Sequence, residues 1–238
     1  ASSKAVITLR EFLSPQRLGN RSVDLVDLSV AIDAAATAVA SLASVDNPMS
    51  APGTTLSGHM VLRTAEGPYW LSFNVGDSRA YVVGGGGIRQ LTHDHSALQE
   101  ARDLAATSGA PRVIPPANVV TKALGAGQVG CVKADYTIMP LEDGDRAVIC
   151  TDGVHGVLSD SRIHELVADG DGPQGTADRL VRASLEAGTR DNATAVVVYA
   201  GTKSRVTLTM NVMNRMIQPV RPASIETARR VPRREGGN

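Results

Sequence analysis

The residue pattern predicts an α+β fold in which sheet layers are flanked by helices. Two helical patterns come first, a series of short alternating segments follows, and two further helical patterns precede a last strand. No strand–helix unit repeats, which argues against a doubly wound parallel sheet. Apolar residues make up 42% of the 238 positions but aromatics only 3%, so Leu, Val, Ile and Ala must fill the core.

Residues 4–13 carry Val6, Ile7, Leu9, Phe12 and Leu13 at helical spacing, with Ser2 or Ser3 as cap and Ser14-Pro15 as stop. Residues 23–42 form a longer Ala-rich helix. Val26, Val30, Ala34, Thr37 and Ser41 mark its faces, Leu28, Ile32 and Val39 extend the apolar stripe, and Asp46-Asn47-Pro48 closes it. The period then falls to two. Leu56, Gly58, Met60 and Leu62 alternate, as do Leu71, Phe73 and Val75. Gly76-Asp77-Ser78 reads as a tight turn, 79–83 as the return, and Gly84 to Gly87 as a hairpin turn before 88–91. These strands are expected to form an antiparallel meander. Residues 97–107 are helical, and 108–118, with Pro111, Pro115 and Pro116, form a loop. Residues 131–141, 146–151 and 193–199 read as strands, 160–167 and 176–187 as helices.

The formal net charge is zero, which gives no general case for nucleic acid or an anionic membrane as partner. The balance is uneven: residues 201–238 hold eight basic and two acidic side chains, so 1–200 carry the compensating negative charge. Residues 1–200 are expected to form the domain and 201–238 a basic, largely disordered tail. No apolar run approaches the ~18 residues that span a bilayer and no signal peptide is visible, so the cytoplasm is the expected compartment. Cys131 and Cys150 are expected to be thiols.

Three aspartates stand where strands end: Asp152 after 147–151, Asp191 before 193–199, and Asp94 after 88–91. Carboxylates fixed close together repel unless a cation or proton intervenes, and oxygen-only ligands favour Mg²⁺ or Mn²⁺. Each of them is equally a turn residue, because Asp-Gly and Asp-Asn are common turn pairs. His93 and His95 have no further zinc ligands at suitable spacing.

Six blocks, in order, resemble the metal-dependent protein phosphatases of the PPM, or type 2C, family. They are Gly53-Thr54-Thr55; Asn74-Val75-Gly76-Asp77-Ser78-Arg79; Asp94-His95-Ser96; Thr121-Lys122-Ala123-Leu124-Gly125; Gly144-Asp145-Arg146 with Thr151-Asp152-Gly153; and Arg190-Asp191-Asn192. The resemblance implies a four-layer α-β-β-α sandwich of two antiparallel sheets flanked by helices, incomplete at the N-terminus. It implies Asp152 and Asp191 as ligands of two Mn²⁺ or Mg²⁺ ions, and Asp94 as ligand of a weaker third ion. Water activated by the ions is the implied nucleophile, with no catalytic side chain. Gly76, Asp77, Ser78, Arg79, Gly153 and Asn192 match motif positions and are read as structural, while His155 is a candidate for approaching substrate. Phosphoserine and phosphothreonine proteins are the implied substrates, with a cognate serine/threonine kinase or its targets as partners.

The match departs from the family at the start. The family's first strands carry an arginine for phosphate and an Asp-Gly pair that bridges both ions, and Ala1-Ser2 looks like the end of that block. The chain is therefore expected to be weakly active or inactive. The alternative function is a non-catalytic, phosphatase-like binding module. A phosphatase acting on an anti-sigma-factor antagonist is a third reading, within the same fold.

Overall fold

The structure is a computed structural model, and it describes residues 1–19, 21–43, 51–108, 114–116, 118–126, 132–170, 172–201 and 229–230. Its first layer is helical. α1 (Ser2–Phe12) has Ala1 at its N-cap, without the expected serine side-chain bond. Ser14-Pro15 stops it and starts the short α2 (Pro15–Leu18), where Pro suits the first helical turn. α3 (Leu25–Ala40) opens on a capping box in which Asp24 and Asp27 each accept the other's backbone N–H. Its buried face is Leu28, Ala31, Ile32, Ala35, Ala36 and Val39. Val26 and Val30 face outward, 70% and 50% exposed, which corrects their place in the expected apolar pattern. The stop at 46–48 lies outside the described residues.

The strands follow: β1 (Gly53–Thr54), β2 (Leu56–Thr64), β3 (Gly67–Val75), β4 (Arg79–Gly84) and β5 (Gly87–Gln90). α4 (Ala97–Ser108) comes next, then β6 (Leu124–Gly125), β7 (Asp135–Pro140), β8 (Arg146–Cys150), α5 (Asp152–His155), α6 (Asp160–Ala168), α7 (Pro173–Glu186), β9 (Ala195–Tyr199) and β10 (Arg229–Arg230). The expected meander is corrected. β2 and β3 pair antiparallel in one sheet, ordered β10-β7-β3-β2, whereas β4 and β5 pair in another, ordered β5-β4-β8-β9. The chain changes sheets at Gly76-Asp77-Ser78. A third, two-stranded pairing joins β1 to β6.

Three apolar clusters define the layers. Leu71 and Val75 of β3 pack with Ala5, Leu28, Ile32 and Val39 of the first helical layer. The alternate β3 residue Trp70 packs with Val82, Leu91, Met139 and Ala147 between the sheets. Tyr81, Val83, Val148 and Val197 on the far side meet Ile163, Val167 and Leu180 of α6 and α7. The result is the expected four-layer sandwich. Trp70 donates its indole N–H to Asp145 at 3.0 Å, and the Glu142 N–H donates to the same oxygen at 2.9 Å, so Asp145 is a buried structural acceptor. Cys150 is a buried free thiol whose pKa burial pushes up to about 12. Arg229 and Arg230 pair parallel with β7; the rest of the expected tail beyond Gly201 lies outside the described residues, as does Cys131.

A histidine is also held within the sandwich. His59 has Nε2 3.2 Å from the Tyr81 carbonyl and Nδ1 2.8 Å from Ser72 Oγ, with Trp70 edge-on at 5.6 Å. Burial lowers its pKa to about 4. The unfolded ring binds its proton near the ordinary 6.5, the folded ring only near 4. Stability is therefore complete above about pH 6.5 and drains as pH falls towards 4. The expected loss is about 1–2 kcal/mol after screening of this half-buried ring. Urea titrations at pH 7.5 and 5 should show that loss in the wild type and a smaller one in His59→Gln.

Candidate active site

The pairing of β8 with β9 brings two of the predicted aspartates to one rim. The ladder ends at Cys150 opposite Ala195. Beyond it the two strand ends stay joined by hydrogen bonds. The Thr151 N–H donates to the Thr194 carbonyl at 3.1 Å, and Thr151 Oγ1 donates to the Asn192 carbonyl and accepts the Thr194 N–H, each at 3.1 Å. Gly153 lets the second loop lie against the first: a Cβ there would stand 2.4 Å from the Asn192 carbonyl oxygen. Asp152 opens α5, and Asp191 Oδ1 accepts the N–H of its neighbour Asn192 at 2.7 Å. Both are half-buried.

The corner between β3 and β4 is the third part of the rim. Gly76 has φ +112°, and an added Cβ would meet Thr55 Cγ2 at 2.3 Å, so only glycine fits. Five neighbours fix the corner. His95 exchanges two bonds with Gly76, its N–H to the Gly76 carbonyl at 2.9 Å and its Nδ1 from the Gly76 N–H at 3.0 Å. Asn74 Nδ2 donates to the Gly76 and His93 carbonyls at 2.8 and 2.9 Å. Thr55 Oγ1 lies 3.0 Å from Ser78 Oγ, and Ser57 Oγ donates to the Ser78 carbonyl at 2.8 Å. His155 Nε2 lies 3.0 Å from the Asp77 carbonyl, and burial lowers its pKa to about 4, so near pH 7 the neutral ring donates and ties α5 to the corner. That backbone bond is a structural use for a residue considered as a substrate contact.

The two remaining carboxylates differ in their surroundings. Asp94 receives Arg79 Nε at 3.0 Å on both oxygens, Arg79 Nη2 at 2.7 Å and Gln90 Nε2 at 3.0 Å. Arg79 Nη1 also reaches Tyr81 Oη at 3.2 Å. Asp94 thus has a bidentate guanidinium partner. Asp77 is equally buried, and here like charges gather. Burial, then the Asp152 carboxylate and more weakly Asp94, push its pKa up to about 6. Spacing concealed this difference, since both aspartates sit at strand ends. The signal that separates them is Arg79, whose reach to Asp94 only the fold reveals.

The donors suit a hard divalent ion in kind, all being carboxylate oxygens. Repulsion between Asp77 and Asp152 is what a cation would offset. In number they fall short: among the described residues no group of three or more His, Cys, Asp or Glu side chains gathers closely enough to hold a metal.

Two antiparallel sheets between helical layers, with acidic loops at one rim, define a class of α+β sandwich that solved structures share. The PPM Ser-Thr phosphatase MsPP from Mycobacterium smegmatis, solved in complex with cacodylate, is 30% identical. That alignment covers 84% of this chain and 82% of MsPP, with a TM-score of 0.66. The catalytic domain of the phosphatase PstP, solved in complex with two manganese ions, is 27% identical with a TM-score of 0.65, covering 81% of this chain and 79% of that domain. Among curated proteins, serine/threonine phosphatase stp of Listeria welshimeri is 29% identical over 126 residues, 52% of this chain and 49% of its own length. The chain thus spans about half the length of the first curated relatives it matches. No protein-family model matches it. The chain belongs to the PPM serine/threonine phosphatase family.

Proposed function

We propose that the chain is a metal-dependent phosphatase acting on phosphoserine and phosphothreonine in proteins, and so opposes a serine/threonine kinase. The observation that carries this is the joining of the Asp152 and Asp191 loops at the β8–β9 rim. These two carboxylates would hold the principal Mn²⁺ or Mg²⁺, and Asp77 with Asp152 a weaker ion. The Asp77 assignment rests on the repulsion described above, and on Asp94 being occupied by Arg79. When bound, the ions supply Lewis acidity and acidify water, which removes the need for a protein nucleophile. The protein's own part is to fix the loops. Thr151 and Gly153 hold Asp152 against the Asn192 segment, and the Gly76 corner holds Asp77 in a buried setting where charge interactions are strong.

The short count of converging donors among the described residues favours a second reading, a phosphoprotein-binding module without turnover. It also makes low turnover the expectation for the 238-residue chain. The test is hydrolysis of p-nitrophenyl phosphate and a phosphothreonine peptide with Mn²⁺ and with EDTA. Slow release that EDTA abolishes is the expected result. Peptide binding without release favours the binding module, and equal rates in EDTA overturn the metal assignment.

A further inference from the structure

His95 stands between the Gly76-Asp77 corner and two charged side chains that the proposed chemistry does not use. Its ring is buried, 7% exposed. Nδ1 accepts the Gly76 N–H, so the proton of the neutral ring sits on Nε2. Nε2 faces Asp135 Oδ2 at 3.1 Å, at the start of β7. Lys122 Nζ lies 2.9 Å from the same Nε2 and donates to the Lys133 carbonyl at 3.1 Å and to Asp135 Oδ1 at 3.3 Å. Burial raises the pKa of Asp135, but His95 and Lys122 outweigh it and hold it near 2, so the carboxylate stays ionised.

Main-chain bonds make the same connection. The Thr121 N–H donates to the His95 carbonyl and the Ala97 N–H to the Val119 carbonyl, each at 2.9 Å. Residues 119–122 are therefore tied to the His95 segment by backbone and by side chain. His95 in turn grips both polar groups of Gly76, the residue before Asp77.

We infer that Lys122, Asp135 and His95 form a positioning relay that sets the Asp77 carboxylate according to the placement of residues 119–122. The inference rests on the reading of Asp77 as a ligand of the weaker ion. None of the three relay residues touches the reacting atoms; they act through the Gly76 peptide. Whatever displaces Lys122 removes its bonds to Asp135 and the Lys133 carbonyl, which frees the carboxylate that accepts from Nε2 and loosens the corner.

The test is calorimetric titration of the protein with Mn²⁺, alongside Mn²⁺-dependent hydrolysis, for His95→Asn, His95→Gln, Asp135→Asn and Lys122→Met. Asparagine keeps an acceptor near the Nδ1 position facing Gly76, whereas glutamine places its amide near Nε2. The relay predicts a weaker second Mn²⁺ step, by about fivefold, in His95→Gln and Asp135→Asn. Lys122→Met should follow them, and His95→Asn, which keeps the Gly76 contact but loses the one to Asp135, should weaken the second step as Asp135→Asn does, with the tighter step and the KM for p-nitrophenyl phosphate unchanged throughout. Asp135 is half exposed, so its variant is expected to fold even if a His95 variant does not. An unchanged second step in Asp135→Asn and His95→Gln overturns the relay while leaving the metal reading intact. No Mn²⁺ binding by the wild-type protein overturns both.

Discussion

Replacing Asp152 with asparagine is expected to abolish Mn²⁺-dependent hydrolysis, lowering kcat/KM by about 100-fold or more. Asp152 is the one carboxylate proposed to serve both ions, and losing it removes several kcal/mol of charge stabilisation at the reacting phosphate. The metal-free protein should respond in the opposite sense. Asp152 raises the pKa of buried Asp77, so ionising both costs stability near neutral pH. The substitution relieves that repulsion and should raise the melting temperature in EDTA. A structural aspartate would behave otherwise, with activity and stability falling together. Parallel kinetics and thermal melts of the wild type and Asp152→Asn separate the two, and a variant keeping more than a tenth of wild-type turnover would count against the assignment.

Arg79→Leu should produce the largest loss of stability. Arg79 makes three hydrogen bonds to Asp94, whose side chain is 8% exposed. Removing the guanidinium leaves a buried carboxylate held by the Gln90 amide, and breaking a buried pair in this way costs about 3–5 kcal/mol. The loss reaches β4 and α6 as well, because Arg79 bonds to Tyr81 Oη, which donates to Asp160 at 3.2 Å. Urea denaturation at pH 7.5 measures it, and a change below about 1 kcal/mol would show that the pair is not what closes this corner. Asp94→Asn should likewise act mainly on stability. Strong loss of Mn²⁺ affinity with unaltered stability would restore Asp94 as a ligand.

Local chemistry made much of the fold legible. The alternation of Leu71, Phe73 and Val75 identifies a strand with one face on the helices, and the glycine run at 84–87 closes a hairpin as read. Pairing across sheets was not legible. Alternation looks the same whether β4 continues beside β3 or crosses to another sheet, since neither hydrogen-bond partners nor sandwich corners leave a period in the chain. The steric need for glycine at position 76 marks the crossing, but spacing alone reads it as a hairpin turn. Val26 and Val30 misled for a related reason: apolar residues also occupy solvent faces, and only packing shows that Leu28 and Ile32 point inward.

At the candidate site, the strand-end positions of Asp152 and Asp191 were legible because each adjoins a strand of clear pattern, and those strands are neighbours in the sheet. The contrast between Asp94 and Asp77 was not. It depends on a guanidinium crossing 15 residues of sequence to reach one carboxylate and not the other. The Lys122–Asp135–His95 cluster was equally hidden, because its members come from three separate segments.

The most direct test is a crystal of the protein grown with Mn²⁺ and measured at the manganese absorption edge. The account predicts an anomalous peak within ligand distance of both Asp152 and Asp191, with the Arg79–Asp94 pair intact. Manganese seated on Asp94 with Arg79 displaced, or no peak at the β8–β9 rim at saturating metal, would contradict it.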